Sequence, residues 1–447
     1  MSQIHKTTVL LALAASSVGL SYAQTGINSP YSRYGFGMMA DRSMGFNKAM
    51  GGVAQGFRNG QQVNTANPAS YSAVDSLTAL FDLGLSIYNG NYKMGDLQQN
   101  AKNASFDYIA FQCRLRRGLG LTIGLLPYTN IDYSFTSNSS QVDGSTEELT
   151  SAYSYSGSGG LHEVFIGAGW NVVKPLSVGV NFGYLYGDYT HTSTMSYSNT
   201  SAYSLVRGYN ANIGTWKADF GLQAELPFGA KDKITVGATY GLGHDIKNRA
   251  YRHTQTINSS SAVQSSSSDT LRNAFQLPHS LAVGLAYSHG TKWRVGADFE
   301  LEKWSKSKFP ANNEASVYTS QTGQLNDRIR LSLGGEYTPN DMSRNYLNRV
   351  TYKVGGYYQQ SYAKTSTTVA IDKPTEFGLS AGMSLPIQNR NIWYNSPRIN
   401  IAFQWVHSNI PYLSNTLLQQ SKLTENYLRL SIGLTFSERW FYKWKVE

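Results

Sequence analysis

Residues 293–304, WRVGADFELEKW, divide into an apolar and a polar row when the chain is extended. Side chains of a strand alternate between its two faces, so Trp293, Val295, Ala297, Phe299 and Leu301 share one face. The opposite face carries Arg294, Gly296, Asp298, Glu300 and Glu302. One face suits lipid and the other suits water. Strands of a soluble β-sandwich also alternate in this way. The choice between a sandwich and a membrane barrel therefore depends on how often the chain repeats this pattern.

The same alternation recurs from Leu77 to the end of the chain. We predict strands near residues 77–87, 104–116, 119–127, 151–172, 176–184, 216–225, 234–242, 281–287, 293–302, 323–338, 348–363, 374–387, 398–408 and 424–437. The fold class is therefore all-β, a transmembrane antiparallel β-barrel of about 14 strands over residues 77–437. Closure removes the sheet edges that would expose unpaired backbone groups to lipid.

The connections between these strands alternate in length. Short turns fall near residues 117, 174, 229, 290, 342 and 391, and long polar stretches fall between them, including a serine-rich tract at 251–272 that we expect to be a mobile extracellular loop. Short turns on one side and long loops on the other are typical of outer-membrane barrels, with the turns in the periplasm. No run of 18 apolar residues occurs, which excludes transmembrane helices.

The first residues predict export. Lys6 precedes the apolar run 7–13, and Ser21-Tyr22-Ala23 is a small-x-small cleavage site, so residues 1–23 are predicted to be a signal peptide. The expected location is the outer membrane of a Gram-negative bacterium. Cys113 is the only cysteine, so no intramolecular disulfide can form, and we expect it to pack on a strand face.

Two segments flank the predicted barrel. Residues 24–76 are rich in turn formers and lack a sustained period, so they are either a flexible tail or a compact segment packed on the barrel; their aromatic and methionine content favours packing. Residues 438–447 form a basic aromatic tail containing Trp440, Phe441 and Trp444. That tail is either an interfacial anchor or a docking segment for a periplasmic partner.

The composition argues against several classes of function. The formal charge is +10, but the basic residues are scattered, so we expect membrane lipid and not nucleic acid as a partner. His162, His244 and His279 lie inside strand patterns without metal or nucleophile spacing. The glycine-rich run 118–124 continues into a strand and lacks phosphate-loop spacing. We therefore predict no enzymatic activity, no cofactor and no metal.

The polar row of residues 293–302 is predicted to line the lumen. Arg294, Asp298, Glu300 and Glu302 form one part of this lining, and Lys217, Asp219 and Glu225 of the sixth strand form another. Paired carboxylates also suit acid–base catalysis. Barrels of this size fill their interior with charged and hydrogen-bonding side chains, so we interpret the set as lumen packing.

Several short motifs resemble the FadL-type outer-membrane transporters of hydrophobic compounds, in the branch found in Bacteroidota. They are Gly51-Gly52-Val53-Ala54, Asn67-Pro68-Ala69, Leu277-Pro278, and the strand that ends in Trp304-Ser305. The resemblance implies a 14-stranded barrel with an N-terminal plug, or hatch, here residues 24–76. It also implies that hydrophobic ligands leave sideways through a kink in the third strand, where Pro127 lies. A proline at a strand end is the alternative interpretation of Pro127.

Two departures from the family pattern keep a second function open. No strip of apolar pocket residues is recognisable in the hatch, and the chain continues past a terminal aromatic residue into its basic tail. The resemblance implies passive passage of a hydrophobic small molecule. Barrels of this fold also serve as non-transporting subunits of outer-membrane machines for barrel assembly or type 9 secretion, in contact with other outer-membrane or periplasmic proteins, and fold alone does not separate these uses.

Overall fold

The computed structural model describes residues 29–95, 97–142, 148–199, 201–312, 317–366, 372–387, 397–413 and 420–439. The predicted signal peptide and the tail residues Trp440, Phe441 and Trp444 lie outside these ranges. Among the described residues, no helix is long and apolar enough to cross a membrane.

The described residues form 21 strands and a few single helical turns. The strands are β1 (Met38–Met39), β2 (Thr78–Met94), β3 (Leu97–Arg116), β4 (Leu119–Val142), β5 (Glu148–Val173), β6 (Leu176–Tyr197), β7 (Ser204–Phe228), β8 (Asp232–Gly241), β9 (Asp245–Ile246), β10 (Arg249–Ile257), β11 (Val263–Arg272), β12 (Phe275–Gln276), β13 (Ser280–His289), β14 (Trp293–Glu302), β15 (Phe309–Asn312), β16 (Tyr318–Gln321), β17 (Arg328–Tyr337), β18 (Thr351–Gln360), β19 (Thr375–Pro386), β20 (Arg398–Leu413) and β21 (Gln420–Arg439). The 3-10 turns are Pro30–Arg33, Lys48–Met50, Pro68–Ala73 and Trp304–Lys306, and Tyr346–Arg349 forms one α-helical turn.

Fourteen of these strands close into an antiparallel barrel, which confirms the predicted fold class. Strands β2 to β8 pair in chain order, β8 pairs with β13, and the ladder continues through β14, β17, β18, β19, β20 and β21. The register of β2 with β21 runs from Thr78↔Arg439 to Met94↔Leu423 and closes the cylinder. The first wall strand is therefore β2 and the third is β4.

The stretch that decided the fold is β14, the ninth wall strand. It pairs with β13 and β17 along its whole length. Trp293 and Val295 are exposed on the outer surface, whereas Asp298 is buried on the inner one. The same parity holds around the barrel: Leu85 and Ile87 face outward on β2, and Ser86 between them is buried. The apolar rows are the lipid-facing wall.

The wall is longer on one side than the sequence predicted. Residues 89–103 continue the β2–β3 hairpin as paired strands, and β4, β5, β6 and β7 extend well past the apolar band. The serine-rich tract 251–272, predicted to be a mobile loop, is largely the β10–β11 hairpin. Serine, threonine and tyrosine in alternation form a solvated strand as readily as a loop, so composition misled the prediction there.

The described part of the N-terminal segment, residues 29–76, packs against the inner faces of the wall. Met50, Val53, Val63 and Tyr71 are fully buried, and they form one apolar cluster with Leu80, Tyr108 and Phe165 of the wall. Wall glycines allow this close approach: a Cβ on Gly355 would lie 2.3 Å from the Met50 carbonyl carbon. Small residues on the inner face therefore make room for backbone, not for a ligand.

Candidate functional site

The predicted hatch motif Asn67-Pro68-Ala69 begins the 3-10 turn Pro68–Ala73. The Asn67 side chain accepts a hydrogen bond from the Ala69 amide (3.1 Å), which is an N-cap, and its Nδ2 donates to the carbonyls of Gln55 and Leu222 (both 3.1 Å). One side chain thus joins the turn, the hatch and β7. A Cβ on the neighbouring Gly221 would lie 2.4 Å from Asn67 Oδ1, so the wall there accepts only glycine without rearrangement.

Gly51 and Gly52 follow the 3-10 turn Lys48–Met50, and both have left-handed backbone angles (φ 65° and 85°). The Gly51 amide donates to Ser380 Oγ (2.9 Å), and its carbonyl accepts from Arg330 Nη2 (2.9 Å). A Cβ on Gly51 would lie 2.4 Å from the Gly356 carbonyl oxygen. Glycine is needed here because the turn must fit against the wall.

Asp298 of β14 fixes the middle of the hatch. Its Oδ2 accepts hydrogen bonds from two successive backbone amides, those of Ala54 (2.6 Å) and Gln55 (2.9 Å). The residue is 4% exposed, so these bonds form away from bulk water. Arg294, on the same strand, pairs with Glu336 of β17.

Glu300 and Glu302 converge with Arg328 near the end of β14. Arg328 Nη1 lies 2.7 Å from Glu302 and 3.5 Å from Glu300. Glu302 also accepts from the indole N–H of Trp304 (2.6 Å). The two carboxylates are therefore bound by Arg328 and Trp304, and they do not form a free acid–base pair.

The predicted charges of β7 divide into two locations. Lys217 contacts Asp219 and lies 3.3 Å from Glu163 of β5, which in turn lies 2.8 Å from Arg42 of the hatch segment. Glu225 pairs instead with Lys233 of β8 (3.3 Å) at the rim, where both side chains are more than a third exposed.

The sequence did not reveal several further links between hatch and wall. Lys48 forms a buried ion pair with Asp107 of β3, and Asp41 lies 2.8 Å from Arg429 of β21. Burial raises the pKa of Asp41, but the charges of Lys48, Arg429 and Arg330 outweigh burial and hold that pKa below its usual range. The alternation of side chains along a strand could have predicted that the wall residues Asp107 and Arg429 face inward. Their hatch partners lie in a segment without a period, so no sequence signal pairs them.

A small chamber lies between the hatch segment and the wall, next to a second space of about 130 Å³ that shares Met39, Asp41 and Arg328 with it. The volume of the chamber is about 80 Å³, well below the roughly 300–1,000 Å³ of ordinary small-molecule sites. Its lining combines five tyrosines with charges of both signs: Tyr31, Tyr88, Tyr92, Tyr357, Tyr427, Arg328, Arg330, Arg429, Asp41, Asp107 and Glu376.

A gap in the wall adjoins this chamber. The ladder between β3 and β4 runs from Arg116↔Leu119 only to Ile109↔Leu125. Beyond it, β3 pairs with β2, and β4 pairs with β5. Pro127 lies inside β4 beside a bulge in the β4–β5 ladder, and it lines the chamber. The strand continues past Pro127 to Val142, so this proline does not end it.

The hatch segment fills part of the gap. Its short strand β1 pairs with β4 through Met38↔Asn130 and Met39↔Thr129, and the Ala40 amide donates to the Tyr128 carbonyl (3.0 Å). This contact places hatch backbone on the edge of β4 that β3 has left.

Metal-binding side chains do not cluster within the part of the chain that the structure describes. No group of three or more His, Cys, Asp or Glu side chains there could hold a metal. His244 stacks on Trp216 (3.9 Å between ring centroids) and contacts Thr215 (2.7 Å), and His279 contacts the Tyr240 hydroxyl (2.7 Å). Cys113 is buried on β3.

Comparison with known proteins agrees with this architecture. A family model described as BamG matches residues 3–447. No curated protein matches the chain.

The similar solved structures are barrels of the FadL type. A FadL homologue of Pseudomonas aeruginosa aligns with a TM-score of 0.63 at 12% identity over 89% of this chain and 99% of its own. The toluene transporter TodX of Pseudomonas putida aligns with a TM-score of 0.57 at 14% identity, over 91% of this chain and 100% of its own. The toluene transporter TbuX of Ralstonia pickettii aligns with a TM-score of 0.55 at 15% identity, over 90% of this chain and 98% of its own. The FadL-type fold is confirmed, and the protein is an outer-membrane barrel of a Gram-negative bacterium.

Proposed function

We propose that this chain, which belongs to the BamG family, is a non-transporting barrel subunit of a multi-protein outer-membrane complex, of the kind that assembles other barrels. The observation that carries the proposal is the set of ion pairs that join the hatch to the wall in the interior. Hatch and wall are joined by Lys48–Asp107, Arg42–Glu163 and Arg429–Asp41.

The chemistry of the chamber also favours a structural role. A site for a hydrophobic compound is mostly apolar and encloses most of the ligand. This chamber is small and carries both arginines and carboxylates. Removing one partner of a buried ion pair leaves an uncompensated charge, at a cost of about 3–5 kcal/mol. Movement of the hatch would break several such pairs together, so passage is opposed at each of them.

Native purification tests the proposal. The chain, tagged at its chromosomal locus and extracted in mild detergent without overexpression, is expected to elute with other outer-membrane or periplasmic proteins at fixed stoichiometry. A lone monomer at the mass of one chain plus its detergent micelle would refute it. Depletion of the chain should also lower the amount of several other outer-membrane barrels, measured by quantitative mass spectrometry of membranes.

Passive passage of a hydrophobic small molecule is the second candidate, and the lateral gap between β3 and β4 favours it. The gap adjoins the chamber, and a bulge in the ladder of the third wall strand lies beside Pro127 at that level. On this hypothesis the hatch strand β1 would leave β4 to open a route into the membrane.

A disulfide that holds β1 in the gap separates the two candidates. Met39 and Thr129 lie opposite each other in the β1–β4 pair, and directly paired residues of antiparallel strands have the Cα spacing that a disulfide needs. We would make Met39→Cys with Thr129→Cys in a Cys113→Ala background. Passage predicts that oxidation stops uptake of hydrophobic compounds by cells and that reduction restores it. Uptake unaffected by a fully formed disulfide would exclude passage through this gap. The subunit role predicts that the complex is unchanged in the oxidised and in the reduced variant.

A further inference from the structure

The β10–β11 hairpin extends the sheet beyond the closed barrel. β10 pairs with the first half of β7, from Ile257↔Ser204 to Ala250↔Ala211, and β11 pairs with β10. The hairpin stands on the side of the barrel opposite the short turns, which is the extracellular side. Among the described residues, β10 is the only strand that pairs with β11, and the short strand β16 contacts β11 without pairing with it. β11 is therefore the edge of this outer sheet.

The edge is long, regular and exposed. Its register with β10 is unbroken from Arg249↔Arg272 to Thr256↔Ser265, and the one shift lies at the tip. Residues 263–268 are all exposed. A regular edge of this length presents alternating N–H and C=O groups to its open side.

The sequence of β11 lacks the usual protection of an edge strand. Natural sheets guard such edges with proline, lysine, bulges or very short strands. The strand reads VQSSSSDTLR: it contains no proline and no lysine, and its one acid, Asp269, is bound by Arg252 (2.6 Å). Its other charge, Arg272, stands at the last position of the strand, so residues 263–268 carry no charge.

The chemistry of this edge selects its partner. Unpaired backbone donors and acceptors in a row are complemented by an extended polypeptide, which adds a strand to the sheet. The small, neutral serine side chains form neither an apolar pocket nor a charged site, so the edge does not suit a lipid or a small ligand. We propose that β11 is a docking edge on the cell surface for an extended segment of a partner protein. This inference rests on the proposed function, because the partner is another subunit of the complex.

Cross-linking from two positions on β11 tests the proposal, because it reports the register of the partner strand. Ser266→Cys and Ser268→Cys, each in the Cys113→Ala background, place a thiol two residues apart on one face of β11. A short thiol-reactive photo-cross-linker, whose other end inserts into the C–H bonds of any nearby residue, is attached in native membranes and activated by light, and the joined peptides are sequenced by mass spectrometry. We expect both variants to join one partner polypeptide at positions that also differ by two residues, because paired strands share a fixed register. Leu347→Cys is the control: Leu347 is also exposed, in the turn Tyr346–Arg349 at the opposite end of the barrel, and should not reach that peptide.

Three outcomes would overturn the docking edge: no cross-link from either variant, cross-links without a shared register, or cross-links from β11 to β11 of a second copy. The native mass of the complex, measured on the same membranes, separates this failure from failure of the proposed function. An intact complex without registered cross-links overturns only the role of β11. A lone monomer overturns both.

Discussion

Asp298 provides the sharpest test of how the hatch segment is held. Its carboxylate accepts the amides of Ala54 and Gln55 at 2.6 and 2.9 Å and is buried. Each hydrogen bond to a charged group contributes about 1.5–3 kcal/mol, so Asp298→Ala should weaken this part of the hatch by roughly 3–6 kcal/mol. Because about 1.4 kcal/mol corresponds to a factor of ten, local opening should become at least about a hundredfold more frequent.

Hydrogen–deuterium exchange of the purified barrel in detergent measures that opening. Peptides covering residues 50–57 should exchange at least about a hundredfold faster in Asp298→Ala. Asp298→Asn is the matched control: its amide oxygen can take the place of Oδ2 and keep both hydrogen bonds, which without the charge contribute about 0.5–1.5 kcal/mol each, so we expect roughly half the loss of Asp298→Ala. Retarded migration of the unheated barrel on a gel verifies that the wall stays folded. Equal exchange in Asp298→Ala and the wild type would refute the assignment of Asp298 as a hatch anchor.

Two further substitutions test the interior and the lipid face. Lys48→Met should lower the free energy of unfolding by about 3–5 kcal/mol in denaturant titrations, because Asp107 then stays buried without its cation. The double variant with Asp107→Leu should recover most of this loss. A double variant no more stable than the single one would contradict the pairing. Leu333→Arg, on the outer face of β17 and 62% exposed, should lose roughly 2–4 kcal/mol on folding into lipid vesicles. Leu347→Arg, 63% exposed but in a turn outside the wall, should change little, and equal losses in both variants would contradict the assigned lipid face.

The wall could be predicted from sequence because strand parity is a local property. The alternation in β14 assigns Trp293 outward and Asp298 inward without knowledge of any neighbour, and repetition of that pattern implies closure. Strand ends were harder to predict. β5 runs from Glu148 to Val173 through a serine-, glycine- and tyrosine-rich half, where both faces are polar and alternation carries no signal.

The interior could be predicted only in part, because its contacts join residues far apart in the chain. Asp298 meets Ala54 across 244 positions, and the path of a segment without a period does not follow from its composition. The lateral gap was hidden for a related reason. Pro127 marks an irregularity, but the sequence does not show that β3 and β4 stop pairing near it or that the hatch strand β1 pairs with β4 there.

The distribution of buried charges indicates where this barrel can interact with its surroundings. The ion pairs of the hatch join it to one part of the wall, Asp41 to β21, Lys48 to β3 and Arg42 to β5. On the other side, hydrogen bonds of Asn67 with β7 and of Asp298 in β14 with the hatch backbone hold it. A plug that swings on one side needs its strong contacts concentrated on the other, whereas contacts spread around the cylinder oppose rotation in every direction. The interior therefore acts as a rigid core. Partners must then bind at sites that do not require the hatch to move, and the open edge of β11 is such a site.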